Sequence, residues 1–363
     1  MKILSIVGAR PEFIQAMPVS WALQSAGGDG TLVEVLVHTG QHYDYRMSQA
    51  FFDQLELPVA DYNLGVGAES PGRQVGEMLI RLEEVFLREQ PDLALVRGDT
   101  NSTLAGALAA SKMQVPLAHI EAGERSYDRR MPEEINRLVS DQLSELHLCA
   151  SRNAQENLAR EGIRERVYWV GDVMLDALLR YLPVASQESK ILEQFGLTRN
   201  GYALVTIHRL ANVENPVRLA KIVAALNQVD ETVLFPAHPR TRLALDRLEA
   251  HFGGHVQLID PLGYLDMLVL EQNARLIATD SGGVQREAYY LGIPCLTLRE
   301  ETEWVETVAV GWNRLVGVEP GRVLEAWFTF TPPAARPPIY GDGLAAERIV
   351  RLLCEWVQEQ EDR

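Results

Sequence analysis

Titratable and polar residues in this 363-residue chain recur directly after short apolar runs. The first run is followed by Gly8-Ala9-Arg10-Pro11-Glu12 and the second by His38-Thr39-Gly40-Gln41-His42. Later runs end in Arg97-Gly98-Asp99-Thr100-Asn101 and in His119-Ile120-Glu121-Ala122-Gly123. Further along come His208-Arg209, His238-Pro239-Arg240 and Asp280-Ser281-Gly282-Gly283. Carboxylates and imidazoles of this kind supply general acids and bases, and the arginines supply charge for a departing anion. The string DSGGVQREA (280–288) adds a phosphate-binding reading. Its glycines would admit a phosphate to the backbone, and the N–H groups and dipole of the following helix would hold it. Ser281 would cap that helix or touch the phosphate; the plainer alternative is a cap with glycines that serve turn geometry. The string is neither a Walker A motif nor a full dinucleotide fingerprint.

Each candidate also has a purely structural reading. Asp99 precedes NSTLAGALAA, a good helix former that it could cap, and Glu121 could simply bond loop amides. RRMPEEINRLVSDQL (129–143) reads as a helix with Pro132 near its start and a buried stripe of Ile135, Leu138, Val139 and Leu143. Glu133 and Arg137 then face each other as an exposed ion pair. His42, His119 and His208 fit structural histidines as readily as functional ones. No His/Cys/Asp grouping has zinc spacing and no GxSxG elbow occurs, so metal and covalent serine chemistry are disfavoured.

The elements that must position these groups are short, mostly continuous apolar runs. They fall at 3–7, 33–38, 93–97, 115–120, 146–150 and 167–170, and again at 202–207, 232–236, 256–259, 275–279, 294–298 and 313–316. Continuous runs suit strands covered by helices on both faces of a parallel sheet. Two sets of six, with helical segments between them, predict an α/β fold of two doubly wound, Rossmann-like domains. In such sheets ligands bind beyond the carboxyl ends of the strands, where the polar strings lie. A short helix over 174–182 is expected to stop at Pro183 and the polar SQESK, with a second helix leading to Asn200-Gly201. TPPAARPPIYGDG (331–343) breaks regular structure before a final amphipathic helix over 344–360. The expected organisation is an N-terminal domain over 1–175, a second over 176–345, and the closing helix in 346–363.

Composition narrows the function classes. With 34 Lys and Arg against 50 Asp and Glu, the net charge is −16, a poor match to nucleic acid. Cys149, Cys295 and Cys354 lack CxxC spacing and read as buried hydrophobes in a reducing compartment. No run approaches the ~18 apolar residues of a membrane span, and the apolar start is too short for a signal peptide. A soluble cytoplasmic protein is expected.

The strings GARPEFIQAMPV, HTGQHYD, GDTNSTLAGALAA, HIEAGERS, MPEEINR, IHR, AHPRTR and DSGGVQREAYYLGIPCLTLREETEWVE occur in order between residues 7 and 306. Together they resemble the non-hydrolysing UDP-N-acetylglucosamine 2-epimerase family. The resemblance implies the glycosyltransferase-B architecture, with the active site in an interdomain cleft, a last helix returning to the N-terminal domain, and a homodimer. It implies reversible inversion at C2 of a UDP-2-acetamido sugar, UDP-GlcNAc to UDP-ManNAc, with no nicotinamide, metal or other cofactor. Breaking the anomeric C–O bond first makes C2–H acidic; its loss leaves 2-acetamidoglucal beside UDP, and UDP re-adds after a proton arrives on the other face. By similarity, Asp99 and Glu121 act around C2, Glu133 shares the proton work, and His208 lies near the diphosphate. Arg10, Arg137, Ser281, Gly282 and Gly283 would hold phosphate or sugar, His238 joins the substrate-binding set, and Glu287 would accept from ribose hydroxyls. Gln41 and His42 fall where some members bind a second, activating UDP-sugar.

Three features depart from the commoner pattern. Gln15 stands where many members carry Lys, and Leu210-Ala211-Asn212 lacks an acid found in many. The short Glu121–Glu133 spacing, MPEEINR and REETEWVE are closer to the subgroup acting on UDP-2,3-diacetamido-2,3-dideoxyglucuronic acid, which is the alternative substrate. The alternative functions are a glycosyltransferase of the same architecture and a catalytically silent nucleotide-sugar sensor.

Overall fold

The protein is described from a computed structural model covering residues 1–28, 30–40, 59–67 and 69–361. It divides into two compact units, Met1–Leu179 with Pro338–Arg363, and Arg180–Pro337. Unit 1 begins β1 (Lys2–Val7), α1 (Arg10–Ala26), β2 (Val33–His38), β3 (Tyr62–Asn63) and α2 (Pro71–Glu89). It continues β4 (Leu93–Arg97), α3 (Asn101–Lys112), β5 (Leu117–Ile120), α4 (Pro132–Leu143), β6 (Leu146–Cys149), α5 (Arg152–Arg160) and β7 (Val167–Trp169). Its strands pair in parallel in the order β3-β2-β1-β4-β5-β6-β7. The order reverses between β1 and β4, so their exits flank the crevice where such sheets take ligands.

The sheet is apolar on both faces, as the continuous runs anticipate. Ile3, Leu93, Leu95 and Leu148 face Val19 and Leu23 of α1 and Ile349, Leu353 and Trp356 of a closing helix, α15 (Ala345–Glu361). Leu4, Ile6, Val37 and Val96 face Met78, Leu82 and Phe86 of α2 and the small residues of α3. Gly106 of α3 has no room for a side chain, because a Cβ would come 2.8 Å from Val96 and 2.9 Å from Ile6. Alternation along one strand thus serves two cores.

Unit 2 repeats the plan. After α6 (Val173–Glu188) and α7 (Ile191–Gln194) come β8 (Tyr202–Thr206), α8 (Leu210–Val213), α9 (Pro216–Leu226), β9 (Thr232–Pro236) and α10 (Pro239–Arg247). Then follow β10 (Val256–Ile259), α11 (Tyr264–Asn273), β11 (Leu276–Thr279), α12 (Gly282–Leu291), β12 (Cys295–Thr297), α13 (Val305–Ala309), β13 (Asn313–Leu315) and α14 (Pro320–Thr329). This sheet is parallel in the order β10-β9-β8-β11-β12-β13. None of the described helices is long and apolar enough to cross a membrane.

Three expectations fail for identifiable reasons. The two-residue β3 is too short to leave an apolar run and is not among the expected strands. The helix expected to stop before Pro183 instead runs through it to Glu188 as α6. Proline removes the bond to the carbonyl one turn back, that of Leu179, a residue 49% exposed where water can serve. In α4 the expected stripe is only partly buried, at Leu138, Val139 and Leu143, and the polar side goes inward instead. Ile135 is 40% exposed, whereas Glu134, Asn136, Arg137, Ser140 and Asp141 are buried.

The closing helix is tied to unit 1 through Asp176, whose carboxylate accepts the Ala346 N–H at 2.7 Å. Burial pushes the Asp176 carboxyl up to about 6, against the opposing hydrogen bonds from Ala346 and Ala345. The folded value exceeds the ordinary 3.8, so the folded chain holds this proton more tightly. The resulting stability is fully present below 3.8 and is lost as the pH rises through about 6. Asp176→Asn keeps an acceptor without a charge. Urea titrations across that window should show a pH-dependent loss smaller by roughly 2–3 kcal/mol in this variant; parallel curves would refute the assignment.

Candidate active site

In unit 1 the site grows from the exits of β1, β4 and β5. Glu12, in the first turn of α1, accepts the Gly8 and Ala9 N–H groups at 2.8 and 2.6 Å on one oxygen. Its other oxygen is reached by the hydroxyls of Thr100 at 2.8 Å and Thr103 at 3.1 Å. One carboxylate therefore joins the loop after β1 to the loop after β4. Burial pushes its pKa up, and these four donors oppose that shift.

Thr100, not Asp99, caps α3, accepting from the N–H groups of Ser102 and Thr103. Asp99 is thereby left to pair with Arg137 of α4, which also lies 3.3 Å from Glu134. Asn136 donates to the Asp99 carbonyl at 2.8 Å, so α4 holds both the backbone and the side chain of Asp99. Glu134 is itself occupied by the Ser126 N–H and hydroxyl and the Tyr127 N–H, each at 2.9 Å. This explains the polar inward side of α4: its fully buried residues complete one another.

Glu121 leaves β5 with φ +67° and is 8% exposed. Its carboxylate accepts from the Gln15 amide. Arg97 and Ile120 are register partners, so Asp99 and Glu121 follow adjacent strand ends. Glu133 lies half-buried in the first turn of α4. Behind them, His119 contacts Asp141 and the Gly98 carbonyl. Arg10 opens α1, its side chain outside the described residues, as are Gln41 and His42.

In unit 2 the corresponding strand exits carry the anion-binding candidates. Asp280 accepts the N–H groups of His208 at 2.9 Å and Arg209 at 3.1 Å, and Asn212 at 3.0 Å. It fixes the loop after β8. The His208 residue keeps an exposed edge, yet surrounding protein desolvates the ring and lowers its pKa; Asp280 opposes this, while Arg209, His238 and Arg299 add to it. A neutral ring at pH 7 can donate to or accept from a phosphate oxygen without charge of its own. His238 caps α10 by accepting the Arg240 N–H at 3.3 Å, and desolvation followed by Arg240 lowers its pKa.

Ser281 caps α12, accepting the Val284 N–H at 3.4 Å. Gly282 is obligatory: a Cβ there would sit 2.7 Å from a Glu303 oxygen and 2.9 Å from the Trp304 indole nitrogen. Gly283 is unobstructed, with Ser281 Oγ nearest at 3.9 Å. The first turn of α12 is thus unobstructed at Gly283 and packed against Glu303 and Trp304 at Gly282; a helix start open at a glycine can take a phosphate on its backbone N–H groups. Glu303 pairs with Arg209 at 3.2 Å and Arg299 at 2.9 Å, and Arg286 stacks on Trp304 at 3.9 Å. Glu287, in the same helix, is 8% exposed; burial and the Glu287 charge push the neighbouring Glu271 carboxyl well above its usual range.

Sequence reasoning brings Asp99, Glu121, Glu133 and Arg137 into unit 1 and His208, His238, Ser281, Gly282, Gly283 and Glu287 into unit 2, where the structure also has them. It misses the partners Glu134, Asn136 and Asp141, which lie in the polar positions of PEEINRLVSD that an amphipathic reading sends to solvent. It also misses the Arg299–Glu303 pair.

Comparison with known proteins places the chain among named relatives. The family model described as UDP-N-acetylglucosamine 2-epimerase matches residues 26–354. A UDP-2,3-diacetamido-2,3-dideoxy-D-glucuronate 2-epimerase of Pseudomonas aeruginosa is 46% identical over 98% of this chain and 100% of its own. A UDP-N-acetylglucosamine 2-epimerase of Methanocaldococcus jannaschii is 42% identical, covering 97% of this chain and 99% of that one. A crystal structure of the UDP-GlcNAc 2-epimerase of Methanocaldococcus jannaschii, in complex with UDP-GlcNAc and UDP, superposes with a TM-score of 0.91 at 41% identity over 98% of this chain and 100% of the other.

The Glu12 junction is testable without any ligand. Glu12→Gln turns an N–H2 toward one pair of donors and strands them in the interior. Urea unfolding should show a loss of about 1–3 kcal/mol, and an unchanged midpoint would mean that Glu12 does not join the two loops.

Proposed function

The chain belongs to the UDP-N-acetylglucosamine 2-epimerase family, and on that premise we propose that it inverts C2 of a UDP-linked 2-acetamido sugar, UDP-GlcNAc first. The observation that carries the assignment to residues is the exit of Asp99 and Glu121 from adjacent parallel strands, each with its own partner, Arg137 and Gln15. Inversion needs a proton removed from one face of C2 and delivered to the other, hence two acid–base groups. Asp99 and Glu121 take those roles, with Glu133 sharing the proton work.

The reaction balances without an external oxidant or acid. Cleavage of the C1–O bond sends its electrons to the UDP oxygen, and the C2–H proton passes to a carboxylate as C1=C2 forms. The reverse sequence places a proton on the opposite face and re-forms C1–O. In unit 2, the first turn of α12 at Ser281, Gly282 and Gly283, open at Gly283, with His208, His238 and Arg209 at neighbouring strand exits, would take the diphosphate. Arg10 and Arg137 would hold phosphate or sugar, and Glu287 would receive the ribose hydroxyls. Gln41 and His42 remain candidates for a second, activating UDP-sugar.

A second substrate has its own support. The Pseudomonas aeruginosa relative is named for a 2,3-diacetamido uronic acid and is 46% identical. The same C2 chemistry on that sugar needs no different acid–base pair. The three free cysteines, with the Cys295 thiol pushed up to about 12 by burial, suit a reducing cytoplasm. A homodimer is part of the same reading, and light scattering at the monomer mass of 40.6 kDa would remove it.

Incubation with UDP-GlcNAc in D2O, followed by NMR, tests the function directly. Deuterium at C2 with a growing UDP-ManNAc signal is the expected result; no change there but exchange with the uronic acid selects the second substrate. Silence with both sugars would overturn the assignment. Asp99→Asn is expected to lower exchange by roughly 10²–10⁴-fold, and retention of wild-type exchange would remove Asp99 from the proton path.

A further inference from the structure

His119 stands where the segments bearing all three candidate carboxylates meet. Its ring, wholly buried on β5, has Nδ1 2.7 Å from Asp141 Oδ1 and Nε2 2.8 Å from the carbonyl oxygen of Gly98. That carbonyl belongs to the residue before Asp99, and His119 itself lies two residues before Glu121. Asp141 projects from α4, about two turns beyond Glu133. The second oxygen of Asp141 takes the Gly123 N–H at 3.1 Å and Arg125 Nη2 at 2.6 Å. Gly123 closes the far side of the Glu121 turn with φ +83°, and a Cβ there would sit 2.4 Å from the Ala154 carbonyl.

Both ring nitrogens therefore face oxygen acceptors. A carbonyl has no proton to give. Burial works against the Asp141 charge, yet His119 and Arg125 hold its carboxyl below the usual range. Both nitrogens are thus placed to donate. Arg125 lies between Asp141 and Glu161, whose carboxylate takes it at 2.8 and 2.7 Å. A buried set of this kind pays heavily in desolvation and is weak as a source of stability alone. What it supplies is a fixed distance between three chain segments.

We propose that His119 is a positioning residue for C2 proton transfer: its two-donor ring, clamped between Asp141 and the Gly98 carbonyl, sets the Asp99 and Glu121 carboxylates in register with each other and with the helix that carries Glu133. The proposal rests on the C2-epimerase reading and deepens it. His119 reaches no solvent and acts only through the segments it joins.

Two variants and one measurement on the native protein test it. His119→Gln keeps a single donor group and turns an acceptor toward the other oxygen, while His119→Phe fills the space with neither donor. In His119→Gln, kcat for C2 deuterium incorporation should fall about 10²-fold, with KM for the sugar nucleotide and Kd for UDP nearly unchanged. His119→Phe should fall at least as far. In 15N-histidine spectra of the wild type at neutral pH, the His119 ring, identified by its loss from the His119→Gln spectrum, should show two protonated nitrogens. A folded variant with wild-type kcat, or a native ring with one unprotonated nitrogen, overturns the proposal. If the wild type exchanges neither sugar, the epimerase reading fails and takes the catalytic role with it. A doubly protonated ring with full activity in His119→Gln would sink the positioning role alone.

Discussion

Unit 1 buries Glu12 and Glu121 near strand exits and Glu134 and Asp141 on α4, and a carboxylate removed from water must be paired or hydrogen-bonded. Much of the local architecture follows from meeting that demand. The Gly8–Ala9 turn aims two N–H groups at Glu12, and the Ser126–Tyr127 turn does the same for Glu134. Left-handed backbone at Gly98 and Gly123 sets the flanks of the two loops that Asp141 and His119 connect. Helix α4 gives up the usual apolar inward face so that Asn136, Arg137 and Asp141 can reach these partners. The loops that carry Asp99 and Glu121 are placed because the groups around them are already committed to one another.

The two halves reach one solution by different routes. β1 and β8 hold equivalent positions in their sheets, each next to the strand where the order reverses. After each, a carboxylate accepts two consecutive backbone N–H groups. In unit 1 it is Glu12, from the helix that follows; in unit 2 it is Asp280, from the neighbouring strand exit. The first leaves its loop tied to Thr100 and so to Asp99. The second leaves His208 and Arg209 projecting from a fixed turn. The two loops differ in which element lends the oxygen that orders them.

What the sequence discloses is set by the range of the forces involved. Twelve of the thirteen described strands are legible because two-sided burial demands an unbroken apolar run, and LALV in β4 or LIAT in β11 has no other reading. β3 has no such run. Pro183 misleads because its local cost is met by solvent at Leu179, a fact about exposure and not about residue type. The polar strand exits are equally visible, but their partners are not: Gln15 meets Glu121 across 106 residues, and Asn136 meets Asp99 across 37. Periodicity sends the charged side of α4 to water and Ile135 inward. Only the assembled sheet, which already holds buried oxygens in need of donors, reverses that preference.

The closing helix gives the chain an unusual order of assembly. Unit 2 is one continuous stretch, Arg180–Pro337, whereas unit 1 needs Met1–Leu179 and also Pro338 onward. Ile349, Leu353 and Trp356 complete the core that contains Ile3, Leu93 and Leu148. Before the stretch from Pro338 onward is made, that face of the sheet has Val19 and Leu23 of α1 but lacks Ile349, Leu353 and Trp356, so unit 1 stays incomplete while the contiguous unit 2 can already fold as a block.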